Sequence, residues 1–262
     1  MPVEIVHFNP KRRRPGLLGR ALPRRPLNNF GDLIGPAIVA QIVAERGLVE
    51  PAARRRLVTV GSIMRLTEPG DVIWGSGING KSMDVGAAPD LDVRAVRGPR
   101  TREMLLETGV TVPEVYGDPA LLWSRYWPRD GYLSGIRSSD RRAVTVVPNH
   151  NDRATVSGPE VISPLGDLHD VIGTIARSDF VCGSSLHGIV LAEAFGIPAR
   201  LIASGVEPAF KYDDYYSGTG RPTYTAATSV EEAIELGGET PPVFDAEALL
   251  AAFPADLYDG GK

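Results

Sequence analysis

The stretch FVCGSSLHGIVLAEAFGIP, residues 180–198, joins a short apolar run to a longer one through a corner of glycine and serine. A short apolar run ending at a glycine is typical of a buried strand, and a serine before an apolar run is typical of a helix start. Ser184 or Ser185 would cap that helix with its hydroxyl. The stretch therefore predicts a strand-to-helix unit of a parallel α/β fold, with His187 in the first turn of the helix.

The same alternation continues in both directions along the chain. Predicted strands lie at 4–8, 57–61, 71–77, 92–98, 143–149 and 199–203, and predicted helices at 33–47, 99–109 and 167–179. A polar, basic stretch at 129–142 separates two such series and is predicted to be a linker. We predict an α/β protein of two Rossmann-like domains, 1–128 and 143–240, with a helical segment at 241–262 that packs back on the first domain.

Net charge, cysteine and histidine usage and hydropathy argue against several classes of function. The 262 residues carry a formal net charge of −4, which argues against general nucleic-acid binding. The single cysteine, Cys182, cannot form an internal disulfide, and the four histidines lack metal-ligand spacing, so we predict no metal site. The N-terminus lacks the pattern of a signal peptide and no apolar run is long enough to cross a membrane, so we expect a cytoplasmic protein.

His187 lies where a ligand of a parallel sheet is expected. Free N–H groups and the positive dipole end at a helix start favour an anion, and ligands gather at the carboxyl ends of the strands. The imidazole would face that anion and exchange protons with it. The alternative stays open that His187 is a partly buried, satisfied residue of an ordinary helix start.

Two other corners carry polar residues before or after a predicted element. Asn28, Asn29, Gly31 and Asp32 precede a helix, where the acid would cap and the glycine would let a ligand approach closely. The sequence GSG at 75–77 follows a strand, and it either presents backbone N–H groups to an anion or merely forms a turn.

Charged side chains mark two more segments. Arg97 and Arg100 flank a predicted strand-to-helix corner, where guanidinium groups can bind a carboxylate or a phosphate. The segment at 207–220 brings Lys211, Asp213, Asp214 and tyrosine side chains into a loop or short helix. That segment is either a contact for sugar hydroxyls or an exposed charged turn.

In chain order, six stretches resemble the polysaccharide pyruvyltransferase family: NNFGD (28–32), GSG (75–77), RGPRT (97–101), GDPALL (117–122), SSLHGIVLAEAFGIP (184–198) and KYDDYY (211–216). SLHG, followed by the apolar helix and AFGIP, is the most specific of them. The resemblance implies a GT-B-like fold with the ligand site in the cleft between two domains. It also implies transfer of the pyruvyl unit of phosphoenolpyruvate to a saccharide as a ketal, with release of phosphate, without a cofactor, in exopolysaccharide or cell-wall glycan biosynthesis.

The resemblance also implies a set of site residues. His187 would be the general acid/base, and Arg97 would contact the donor. The remaining donor-binding residues would be Gly75, Ser76, Arg100, Gly183, Ser184, Ser185 and Lys211, and the acceptor-binding residues Asn28, Asn29, Asp32, Asp213, Asp214 and Tyr215. Some members carry arginine where this chain has Ser185, so Arg97, Arg100 and Lys211 are the candidates to supply the missing positive charge.

The basic segment at 11–26 has two interpretations. Its seven Lys and Arg residues fit an acceptor linked to a lipid or a nucleotide, and peripheral contact with the inner face of the plasma membrane; they fit a solvated loop equally well. Two other functions also stay open: a GT-B glycosyltransferase that uses a nucleotide sugar, and a non-catalytic saccharide-binding protein.

Overall fold

The structure is a computed structural model that describes residues 3–13, 23–82, 84–85 and 90–259. The strands are β1 (Val3–Val6), β2 (Lys11–Arg12), β3 (Arg25–Pro26), β4 (Arg55–Val58), β5 (Val72–Ser76), β6 (Asp92–Val96), β7 (Arg142–Val146), β8 (Ser178–Gly183) and β9 (Ala199–Leu201). The α-helices are α1 (Phe30–Arg46), α2 (Pro99–Glu107), α3 (Trp123–Tyr126), α4 (Arg129–Leu133), α5 (Leu168–Ala176), α6 (Leu186–Ala194), α7 (Phe210–Gly218), α8 (Val230–Leu236) and α9 (Ala246–Ala251).

The first sheet has four parallel strands in the order β1, β4, β5, β6. Helix α1 connects β1 to β4 by way of the short β2 and β3, and the predicted apolar face of α1 is fully buried at Ile34, Ile38 and Ile42. Burial of that face against the sheet supplies the main driving force for this unit. The helix begins at Phe30, three residues before its predicted start.

The second sheet is parallel as well, in the order β7, β8, β9. Gly183 ends β8 with a φ of 143°, and a Cβ atom there would lie 2.1 Å from the carbonyl oxygen of Val147. Only glycine allows the chain to turn so close to the end of β7 before α6 begins. The prediction of an α/β fold with parallel sheets is confirmed.

A continuous hydrophobic cluster contains side chains from both sheets, among them Trp74, Trp123 and Val181. The predicted linker at 129–142 contains α4 and a short 3-10 helix, Ser138–Asp140, instead of a free loop. Arg129 of this stretch donates to the carbonyl oxygens of Ala176, at 2.9 Å, and of Ser178. The stretch is therefore packed against the elements that follow it.

The C-terminal segment lies against the first sheet. The indole N–H of Trp74 on β5 donates to the carbonyl oxygen of Leu249 in α9 at 2.8 Å. Val49 and Asp259 form an antiparallel bridge beyond that helix. The helix of this segment, α9, ends at Ala251, before Pro254.

The basic segment was predicted to be a loop, but its described ends form strands. Lys11 and Arg12 of β2 pair in antiparallel fashion with Pro26 and Arg25 of β3. Residues 14–22 of the segment lie outside the described residues. Among the residues that the structure describes, no helix combines the length and the apolar character needed to cross a membrane.

Candidate active site

A cavity of about 330 Å³ lies where the carboxyl ends of strands from both sheets meet. Residues that follow strands of the first sheet line it at Gly61, Ser62, Asn79 and Lys81, and residues that follow strands of the second sheet line it at Asn149, Ser185 and His187. The start of α1 adds Asn29 and Asp32, and the region of α7 adds Glu207 and Lys211. Such strand ends are the usual ligand position of parallel sheets.

His187 reaches this cavity from the first turn of α6, whose start is capped by the Ser185 hydroxyl. Its Nε2 atom lies 3.5 Å from Oδ2 of Asp118, a fully buried carboxylate. Neither of these two buried atoms has a hydrogen-bond partner among the described residues. The other oxygen of Asp118 accepts the backbone N–H of Ala120 at 3.0 Å, which fixes the carboxylate beside the imidazole.

Gly31 has a different neighbour from the one predicted. A Cβ atom on Gly31 would lie 2.4 Å from Nδ1 of His187, so the glycine admits the imidazole and not a ligand. The contact joins the start of α1 to the start of α6. It fixes which way the ring lies, with Nε2 toward Asp118 and Nδ1 toward the start of α1.

Asp32 lines the cavity one residue beyond that glycine. Its Oδ2 accepts a hydrogen bond from the Asn29 side-chain amide at 2.8 Å. Burial raises the pKa of Asp32, although the hydrogen bond from Asn29 and the electrostatic effect of His187 act in the opposite direction. Two predicted acceptor residues, Asn29 and Asp32, therefore do lie together at the cavity.

Lys81 and Lys211 enter the cavity from opposite sides of one carboxylate, Glu207. Lys211 lies 2.9 Å from Glu207, Lys81 pairs with the same side chain, and the Asn151 amide donates to it at 3.0 Å. Burial would raise the pKa of Glu207, but these partners hold it below its usual range. Burial also lowers the pKa of Lys211, against the attraction of Glu207. Two ammonium groups with one carboxylate leave this side of the cavity positive.

Arg97, predicted to contact the donor, does not line the cavity. Its guanidinium is fully buried and donates to Asp214 at 3.0 Å, to the Ser62 hydroxyl at 2.6 Å and to the Ile78 carbonyl oxygen at 2.7 Å. A fully buried guanidinium whose three nitrogens are all bonded to protein is not available to a ligand in the cavity. Arg97 instead holds Ser62, which does line the cavity.

Four other predicted site residues also lie outside the cavity and bond to protein groups: Arg100, Asp213, Asp214 and Tyr215. Asp214 is buried and accepts from the backbone N–H and the hydroxyl of Thr101, and the buried Tyr215 donates its hydroxyl to Glu193. Arg100 lies 3.5 Å from Asp213, outside the cavity. The structure therefore places these four residues, which the sequence predicted to contact a ligand, outside the cavity, because α7 turns this face toward α2.

Five more predicted residues have other roles. Ser184 donates to the buried Asp152 at 2.6 Å, and Gly183 serves the turn described above. Ser76 donates to the Gly61 carbonyl oxygen at 3.0 Å. The remaining two lie outside the cavity: Gly75 packs against Pro119, and the exposed Asn28 is bonded to Asn9. Gly75 and Ser76 are the last residues of β5, and the N–H of Gly77 donates to the Gly61 carbonyl oxygen at 3.1 Å, so the GSG sequence is a strand end whose Gly77 N–H is already bonded.

Several cavity residues were missed from the sequence. Glu207 and Lys211 have the i, i+4 spacing of a helical ion pair, which is a usable signal. Asp118 stands in the quoted GDPALL stretch as a cap, but its approach to His187 depends on tertiary packing. Arg65 and His150 line the cavity without any local pattern that singles them out, whereas Arg12 belongs to the predicted basic segment.

In the described part of the chain, no group of three or more His, Cys, Asp or Glu side chains is arranged to hold a metal ion. The side chains gathered at the cavity are instead suited to an organic anion and to proton transfer: an imidazole backed by a carboxylate, two lysines and several amides.

Comparison with known proteins adds three findings. Residues 65–205, more than half of the chain, match the family model described as polysaccharide pyruvyl transferase. The succinoglycan biosynthesis protein ExoV of Rhizobium meliloti (strain 1021) is 27% identical over 179 residues, 63% of this chain and 54% of that protein. The chain therefore spans about half the length of this curated relative.

A crystal structure of a functionally uncharacterised protein from Klebsiella pneumoniae superposes with a TM-score of 0.48 and 11% identity, covering 87% of this chain and 94% of the other. A TM-score of this size does not establish a shared fold.

Proposed function

Because the chain belongs to the polysaccharide pyruvyl transferase family, we propose that it transfers the pyruvyl group of phosphoenolpyruvate to a saccharide as a ketal. The observation that carries this proposal is the cavity that His187, with the buried Asp118 behind it, lines together with the two lysines around Glu207. The name of the relative ExoV supports a place in exopolysaccharide biosynthesis. The donor serves as substrate, and no separate cofactor is part of the proposal.

We further propose that the two parallel sheets are the centres of two Rossmann-like domains in a GT-B-like arrangement. The cavity at the strand ends would then be the ligand cleft between them. In this arrangement, residues 1–128 carry the acceptor side, 143–240 the donor side, and 241–262 pack back on the first domain. The protein would act in the cytoplasm, with its basic segment near the inner face of the membrane.

The donor carries a phosphate and a carboxylate, and the positive side of the cavity is suited to both. Lys81 and Lys211 supply ammonium donors, and the start of α6 at Ser185 adds the positive end of a helix. Lys211 takes the place proposed for the arginine that Ser185 replaces. Glu207 lies between the two ammonium groups and pairs with each through a different oxygen. Each ammonium group therefore keeps further N–H donors for a bound anion.

The chemistry requires protons to move at several atoms. A proton goes to the methylene carbon of the donor, which makes C2 electrophilic; one sugar hydroxyl then adds to C2 and gives up its proton. The bond between C2 and the phosphate oxygen breaks with its electron pair on phosphate. The second hydroxyl closes the ketal and loses its proton. Of the two hydroxyl protons, one balances the proton placed on carbon and the other leaves with phosphate.

His187 is suited to move these protons, because imidazole both accepts and donates near neutral pH. Asp118 is the positioning residue: its carboxylate faces Nε2 and stabilises the imidazolium that forms when the ring accepts a proton. Asn29 and Asp32, next to the ring, would bind the sugar hydroxyls.

Calorimetric titration with phosphoenolpyruvate tests the donor without a known acceptor. We expect saturable binding that Lys81→Gln weakens about tenfold, the effect of losing one charged hydrogen bond. Arg100→Gln, which removes a positive charge outside the cavity, is the matched control and is expected to bind like the wild type. Binding of UDP-sugars with indifference to phosphoenolpyruvate would instead indicate a glycosyltransferase, and saccharide binding alone would indicate a non-catalytic protein.

A further inference from the structure

The mouth of the cavity carries positive charge that the proposed donor site does not use. Arg12 of β2, Arg65 and His150 line the same cavity as His187. Among the described residues, Arg12 and Arg65 have no carboxylate within ion-pair distance. Lys81 and Lys211, the inner lysines of the cavity, differ from these arginines because both pair with Glu207.

Arg65 is held in a form that leaves its hydrogen-bond donors free. Its guanidinium carbon lies 5.1 Å from the centre of the Phe8 ring, and Phe8 also lines the cavity. Stacking uses the face of the guanidinium and leaves the N–H groups at its edge. An arginine stacked in this way is prepared to bind a phosphate in bidentate fashion.

The basic strand pair and His150 complete the cluster. Arg12 is fixed on the two-stranded ribbon opposite Arg25. Nδ1 of His150 is buried without a partner among the described residues. Burial, and then the charges of Arg153 and Arg12, lower the pKa of His150. These groups therefore stand close enough to repel a further positive charge, and a bound anion would relieve that repulsion.

We propose that Arg12, Arg65 and His150 form a second anion site, which binds a diphosphate group on the acceptor saccharide. This inference rests on the proposed function, which assigns the inner lysines to the donor. Two arginine charges match the two negative charges of a diphosphate diester, and the site lies at the mouth, where the rest of an acceptor would extend outward. The neutral His150 would add one hydrogen bond.

The test is a titration with inorganic pyrophosphate in the presence of saturating phosphoenolpyruvate. We expect pyrophosphate to bind without displacing the donor, and Arg12→Gln and Arg65→Gln each to weaken it about tenfold. Lys11→Gln is the matched control, because neighbouring residues of a strand point to opposite faces and Lys11 does not line the cavity. The three substituted side chains are exposed, so we expect every variant to fold. Their thermal unfolding midpoints check this.

Farnesyl diphosphate and uridine diphosphate, titrated in the same way, distinguish a lipid from a nucleotide as the source of the diphosphate. Competition between pyrophosphate and phosphoenolpyruvate, or pyrophosphate binding that both arginine variants leave unchanged, would overturn the second site while the proposed function stands. Absence of phosphoenolpyruvate binding would overturn the proposed function. Pyrophosphate binding that depends on the two arginines would still support the anion site in that case.

Discussion

The imidazole of His187 lies between a buried carboxylate and a glycine, and each contact can be tested by one substitution. Asp118→Asn keeps the side-chain oxygen that accepts the Ala120 N–H but removes the charge beside Nε2. We expect the kcat for phosphate release to fall about 10²- to 10⁴-fold, with the affinity for phosphoenolpyruvate nearly unchanged. A loss confined to KM, with kcat intact, would contradict a role of Asp118 in positioning the catalytic ring.

Gly31→Ala tests the orientation of the same ring from its other side. The added methyl group would lie 2.4 Å from Nδ1, so the imidazole must shift. Since misplacement of about 1 Å can cost 10²-fold in rate, we expect a loss of that order in phosphate release. Gly131→Ala is the control, because a Cβ atom there meets nothing within 4 Å. Equal activity of both variants would show that the ring is not held by Gly31.

The ionised carboxylate of Asp32 is predicted to lower the free energy of unfolding at pH 7 to 8. Burial raises its pKa in the folded state, so the folded protein binds this proton more tightly than the unfolded chain does. The stabilising effect of the proton is present at low pH and is lost as the pH rises through the folded pKa. Asp32→Asn, which cannot ionise, should therefore unfold at a higher temperature than the wild type at pH 7 to 8.

The control for this prediction is the pH itself. The difference between Asp32→Asn and the wild type should shrink as the pH falls, because the carboxyl of Asp32 is protonated below its pKa and is then uncharged like the amide. Thermal unfolding followed by circular dichroism across this range measures the difference. A variant less stable than the wild type at pH 8 would show that the ionised carboxylate is favourable where it lies.

At the scale of elements, the end of β6 and α7 are joined by a buried ion pair. Arg97, at the end of β6, lies 2.9 Å from Asp214 of α7, and both side chains are completely buried. Asp214→Asn would leave a buried positive charge without its counter-ion, and we expect a loss of about 3–5 kcal/mol in the free energy of unfolding. Removing both charges, by Arg97→Met with Asp214→Leu, should cost less than Asp214→Asn alone. Urea unfolding of Asp214→Asn, of the single variants Arg97→Met and Asp214→Leu, and of the double variant decides it, because losses of the two single variants that add up in the double variant would refute the pair.

Local sequence patterns predicted most of the helices and strands, but few of the contacts between side chains that are distant in the chain. The apolar spacing in α1 and the serine before α6 identified both helices, because those signals lie within a few residues of the element that they specify. The contact of His187 with Asp118 joins residues 69 positions apart, and that of Arg97 with Asp214 spans 117. Such pairs depend on how sheets and helices pack, so the sequence indicated a ligand role for Arg97 where packing made it structural.

The ends of strands were the better guide to the site. Asn29, Asp32, Ser185, His187 and Lys211 were predicted and do line the cavity. All of them lie at the start of a helix that follows a strand in the chain, where the fold itself determines the position. Lys211, the second residue of α7, also pairs with Glu207 at the cavity.

At the scale of the whole molecule, the two sheets share one buried cluster, and α9 closes it from the side of the first sheet. Leu249 is fully buried in that cluster, and its carbonyl oxygen accepts the hydrogen bond of Trp74. Leu249→Ala keeps this backbone bond and removes only the packed side chain. Its effect therefore reports how far the C-terminal segment stabilises the rest.

We expect Leu249→Ala to lower the free energy of unfolding by about 2–5 kcal/mol, the range for a leucine replaced in a close-packed core. Because the cluster is continuous across both sheets, the variant should still unfold in one transition, shifted as a whole to lower urea. Val243→Ala is the matched control: this side chain is 73% exposed, so its loss should change stability by less than about 0.5 kcal/mol. A separate early transition in Leu249→Ala, with the remainder unshifted, would show that the C-terminal segment unfolds independently of the core.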